Sequence, residues 1–72
     1  MAKKGILSLN AMEKLMRKAG AVRVGEDAKQ ALAEALEGQG LQLSREAQRY
    51  AEHAGRKTIT QKDIQLAVQE EH

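Results

Sequence analysis

Apolar positions near the start of the chain recur at helical spacing. Met12, Leu15, Met16 and Ala19 follow i, i+3, i+4 and i+7, one face of a helix. Asn10 with Glu13 three residues later reads as a capping-box-like start, and Gly20 as the residue that stops the helix. The pattern predicts a short helix over about residues 10–19. A second, longer stripe runs through Ala28, Leu32, Ala35, Leu36, Leu43, Ala47, Tyr50, Ala51 and Ala54. Glu26 and Asp27 suit the positive end of a helix dipole, and Gly55 closes the segment. Gly38 and Gly40 fall inside it, at about 1 kcal/mol each relative to Ala. Two helices broken there are the alternative; the unbroken phase of the stripe favours one. The third segment has Thr60 as N-cap, Asp63 in the capping-box position and an Ile59–Ile64 hydrophobic staple, with Ile64, Ala67 and Val68 continuing the face.

The layout is short helix, loop 21–25, long helix, loop 56–59, short helix, so the chain is all-α. A long helix of roughly 30 residues would span about 45 Å, and its own chain cannot cover such a stripe.

Composition sharpens that point. A domain of 72 residues buries only about 60% of its unfolded surface, so isolated stability is marginal. Small scaffolds gain stability from disulfides, metals or partner subunits. There is no cysteine, and His53 and His72 lack ligand-like spacing, so neither a metal nor another cofactor is expected. Elimination leaves a partner subunit. No apolar run approaches the 18 or so residues of a membrane span, and "MAKKGILSLN" lacks a signal-peptide core, so a soluble, cytoplasmic chain with no membrane partner is expected.

The net charge is only +2, but it is unevenly spread. Residues 1–24 carry Lys3, Lys4, Lys14, Arg17, Lys18 and Arg23 against Glu13 alone, or +5. Residues 25–54 carry three cations against six acids, or −3, and residues 55–72 balance, with Arg56 and Lys57 together in the second loop. Such asymmetry points to an anionic partner; a solvated helix face with a basic tail is the plain alternative. No acid–base pair, nucleophile constellation or phosphate-cradling glycine loop is present, so neither an enzyme nor a small-molecule binder is expected.

Two stretches carry a resemblance. "RKAGAVRV" and "AEHAGRKTITQKDIQLAV" resemble the first loop, and the second loop with the last helix, of archaeal histones, and the likeness covers roughly residues 6–69. The resemblance implies a histone fold over residues 10–72, after a short basic extension at 1–9. It further implies a head-to-tail homodimer in which each first loop lies beside its partner's second loop. Double-stranded DNA is then the partner, bound without sequence specificity and wrapped or compacted on the chromosome, with dimers joining into tetramers or larger assemblies and histone heterodimers as a further arrangement.

Residue by residue, the resemblance puts Arg23 in the minor groove, held by Thr58, and Lys57 on phosphate. There a guanidinium reads potential and groove width, not base identity. Lys14 and Arg17 match positions that touch central phosphates. Arg56 and Asp63 match a structural salt bridge, while Tyr50, His53 and Asp63 match the dimer–dimer interface, where a buried Tyr50 hydroxyl would need a hydrogen-bond partner. The chain departs from the pattern at Gly25, where a serine N-cap is usual, and in the acidic end "VQEEH". Glu34, Gly38 and Glu52 also depart from the charges that stack successive dimers. The rival reading is a histone-fold dimerisation subunit of a transcription-related complex that does not wrap DNA. A helix-turn-helix regulator fits less well, because the long helix far exceeds a recognition helix.

Overall fold

The computed structural model describes residues 5–70. Lys3 and Lys4 of the basic extension, and Glu71 and His72 of the acidic end, lie outside the described residues. Three helices follow in order: α1 (Leu9–Lys18), α2 (Glu26–His53) and α3 (Gln61–Glu70). No strand occurs among the described residues. The chain divides into two compact units, one ending at Gly38 and the other beginning at Gln39. The 28 residues of α2 run through both without a break, so Gly38 and Gly40 interrupt nothing.

In the first unit, α1 begins one residue earlier than its pattern predicts. Ser8, in extended conformation, is the N-cap, and its hydroxyl accepts from the Ala11 N–H at 3.2 Å. Serine and asparagine are both strong caps. Starting at Ser8 puts Leu9 three residues before Met12, on the same apolar face. The helical part therefore reaches into the extension drawn at residues 1–9. At the other end, Gly20 has φ 112°. Its N–H donates to the Arg17 carbonyl at 3.0 Å, and the Ala21 N–H to the Met16 carbonyl at 3.0 Å. These two bonds are a Schellman closure, which needs a left-handed residue at that position. The Gly25 carbonyl then accepts from Ala28 and Lys29 to start α2. Met12 and Ala33 are buried in this unit, with Leu32 and Leu36 half-buried.

The second unit repeats the device. Gly55, at φ 73°, closes α2 with bonds from Gly55 N–H to the Glu52 carbonyl and from Arg56 N–H to the Ala51 carbonyl, both 2.9 Å. Thr60 precedes α3, whose buried residues are Asp63 and Ala67; Ala47 and Ala51 complete the core of the unit. Ile59 and Ile64, the staple pair, both remain partly exposed, as do Leu15, Leu41 and Val68.

Two glycine substitutions separate conformation from space. Gly20 lies in the left-handed region, so Gly20→Ala is expected to destabilise by about 1 kcal/mol. Gly38 is helical, and a Cβ added there meets nothing within 4 Å, so Gly38→Ala is expected to stabilise by up to about 1 kcal/mol. Denaturant unfolding at one fixed protein concentration checks both signs.

Candidate nucleic-acid interface

Both loops that carry free cations are held by an arginine anchored on a carboxylate. In the first unit Arg17 donates from Nε and Nη2 to Oε2 of Glu13 at 3.0 and 2.8 Å, and from Nη1 to the Val22 carbonyl at 2.9 Å. The other oxygen of Glu13, Oε1, accepts from Lys29 Nζ at 3.1 Å, and Lys29 also donates to Glu26 at 2.8 Å. The hydrogen bond from Arg17, then that from Lys29, holds the Glu13 carboxyl below its ordinary range. Glu26 and then Glu13 push the Lys29 ammonium up. Arg23, next to Val22, is exposed and makes no hydrogen bond or ion pair among the described residues.

In the second unit Arg56 forms a two-pronged pair with Asp63, Nη1 to Oδ2 and Nη2 to Oδ1, each at 3.0 Å. Its Nη1 also donates to the Thr58 carbonyl at 3.0 Å. Oδ2 of Asp63 accepts in addition from the Thr60 N–H at 2.8 Å and the Thr60 hydroxyl at 3.1 Å. The N–H bond is the return half of a capping box, with aspartate serving where glutamate is usual. Asp63 is only 1% exposed. Burial alone would raise its pKa; the Arg56 guanidinium first, and the Thr60 N–H next, drive it far below the usual carboxylate range. Arg56 is pushed up in turn by Asp63. Between these fixed points Lys57 and Thr58 are exposed, and Lys57 has no ion-pair partner among the described residues.

The other residues singled out from the sequence fall as follows. Lys14 and Lys18 are exposed on α1. His53 ends α2 and is exposed, whereas Asp63 is buried under Arg56 and Thr60. Tyr50 is half-buried, and its hydroxyl donates to Glu70 Oε1 at 3.0 Å. That bond, with burial second, raises the Tyr50 pKa. The sequence pattern pairs Glu13 with Asn10 in a capping box, whereas Ser8 caps the helix and Glu13 holds Arg17 and Lys29; it gives Glu70 no partner. The Glu13–Arg17 pair has the favourable i, i+4 spacing and was legible in principle; the Glu13–Lys29 and Tyr50–Glu70 bonds cross between helices and leave no local signal.

Asp63 has a pH signature. Folded Asp63 holds its proton less tightly than an unfolded aspartate, so the unfolded chain binds the extra proton and stability rises with pH through that range. The contribution is complete well above the unfolded value of about 3.9 and drains away as pH falls below it. Asp63→Asn is therefore expected to be less stable than the parent near neutrality, with the gap narrowing steadily from about pH 5 downward. Thermal melts of both proteins across that range check the sign; a gap that widens in acid would contradict it.

Residues 7–68 match the family described as histone-like transcription factor (CBF/NF-Y) and archaeal histone. The chain is 48% identical over 62 residues, 86% of its own length and 92% of the relative's, to one of the subunits of the archaeal histone HAN1 of Thermococcus zilligii. It is 42% identical over 55 residues, 76% of its length and 82% of the relative's, to probable archaeal histone 3 of Methanocaldococcus jannaschii. The three helices and their two short loops are thus a histone fold, and the chain belongs to the family of histone-like transcription factors and archaeal histones.

Proposed function

We propose that the protein is a chromosomal DNA-binding protein that pairs head to tail with a second copy and wraps, bends and compacts duplex DNA without sequence specificity. One observation carries this reading: an arginine is spent on holding the backbone of each loop, while Arg23 or Lys57, next to the held carbonyl, is left exposed and unpaired among the described residues. Loops of this kind hold charges and N–H donors at fixed spacing, which is what a phosphate backbone recognises. In the paired arrangement Arg23 enters the minor groove, steadied by Thr58 of the other copy, and Lys57 neutralises phosphate. Lys14 extends the basic surface along α1, while Arg17, ion-paired to Glu13, serves the loop in place of the phosphate contact that the resemblance implies for it. Binding energy comes from counterion release, and sequence enters only through deformability. Two relatives named as archaeal histones support the reading. One of them is named as a subunit, which makes pairing with a different histone chain a second arrangement open to this protein. The family description also covers transcription factors, so a dimerisation subunit that does not wrap DNA is the competing reading.

Dimers are proposed to join through the end of α2 and the start of α3, with His53 facing Asp63 of the next dimer. Of the four described bonds to Asp63, three fall on Oδ2 and one on Oδ1, so Oδ1 is the less occupied oxygen and the one proposed to accept from His53. Tyr50, already bonded to Glu70, contributes its ring to the same contact.

Affinity for duplex DNA should fall steeply as salt rises, and Arg23→Ala should weaken binding to every sequence alike, lowering the salt slope by about 0.9 for each cation lost, of which a homodimer loses two. Loss confined to one sequence, or no salt dependence in the parent, would favour the transcription-complex reading. Micrococcal nuclease digestion of reconstituted complexes tests assembly: protected lengths should step up by whole dimers, and His53→Ala should reduce them toward one dimer. An unchanged ladder in that variant would place the dimer–dimer contact elsewhere.

A further inference from the structure

Glu13 is the lone acid among the first 24 residues, in the middle of a helix whose other charges are all basic. For a surface that attracts DNA, an acid there is a cost. The structure gives it a use. Both its oxygens are occupied, Oε2 by Arg17 and Oε1 by Lys29, and Lys29 is only 12% exposed in its side chain. The acid therefore ties α1 to the start of α2 and fixes the Arg17 guanidinium from one side. Held there, Arg17 reaches the Val22 carbonyl.

That carbonyl matters because of what shares its peptide plane. The C=O of Val22 and the N–H of Arg23 belong to one rigid trans unit, pointing in opposite directions. Fixing the carbonyl against Arg17 turns the Arg23 N–H away from that guanidinium and limits the directions in which the Arg23 side chain can leave the loop. Val22 is 81% exposed, so packing of its side chain does not hold the turn. We propose that Glu13 is a positioning residue for DNA binding: through Arg17 and Lys29 it sets the first loop so that Arg23 is presented to the duplex. Arg17 is the intermediary.

This rests on the DNA-binding reading, and the parent protein separates the two: absence of salt-dependent duplex binding in the parent would sink that reading itself. Given such binding, charge alone and positioning make opposite forecasts. Glu13→Gln removes a negative charge, so charge alone demands tighter binding, and Glu13→Asp, which keeps the charge, should change nothing. Positioning demands that both weaken binding. The glutamine cannot hold the two cations, and the aspartate falls one methylene short of them. The expected loss is roughly two- to tenfold, the lower part of the range for coupled residues of one network. It should disappear when the same substitutions are made in an Arg23→Ala background, because Glu13 acts through that side chain. Tighter binding by Glu13→Gln, or parent-like binding by Glu13→Asp, would overturn the proposal. So would an equal loss in the Arg23→Ala background, which is what a general weakening of the fold would produce.

Discussion

Of the five buried apolar side chains among the described residues, four are alanines (Ala33, Ala47, Ala51 and Ala67) and only Met12 is larger. An alanine methyl brings on the order of 0.8 kcal/mol when buried, against a backbone ordering cost of about 1–2 kcal/mol for each residue. Larger apolar groups such as Leu15, Leu41 and Val68 stay partly exposed in the single chain. The small residues let helices approach closely, but they cannot supply the driving force. The exposed ones supply it only when something covers them. A second copy, laying its own 28-residue α2 against this one, would cover both stripes at once, and the proposed dimer would in that way complete the core.

Polar contacts do what the thin core cannot, which is to fix the two loops. The solution is the same twice. A helix ends in a left-handed glycine, Gly20 or Gly55; an arginine donates to a loop carbonyl, Val22 or Thr58; and a carboxylate, Glu13 or Asp63, holds that arginine. The free cation is the neighbour of the clamped residue each time, Arg23 after Val22 and Lys57 before Thr58. Clamping neutralises two arginines and leaves two other cations exposed. A modest net charge of +2 thus says little about the local field that a phosphate backbone would meet.

Much of this was legible in the sequence because the signals are local. The continuity of α2 across Gly38 and Gly40 followed from the phase of its stripe. The stops at Gly20 and Gly55 followed from the one conformation that glycine supplies cheaply. The start of α1 was misplaced because Ser8 and Asn10 are both good caps and only packing chooses between them. The Glu13–Lys29 and Tyr50–Glu70 contacts were invisible because they join residues sixteen and twenty positions apart, and no pattern along one helix records what a neighbouring helix presents. The residues offered to DNA came from resemblance; the structure adds the reason for each loop's shape.

The central claim is that this fold is finished by a second copy of itself, and sedimentation equilibrium of the DNA-free protein in moderate salt tests it most directly. The expected result is a species of twice the 7.9 kDa chain mass, dissociating on dilution together with loss of helical circular dichroism. A stable, fully helical species at the single-chain mass would contradict the account.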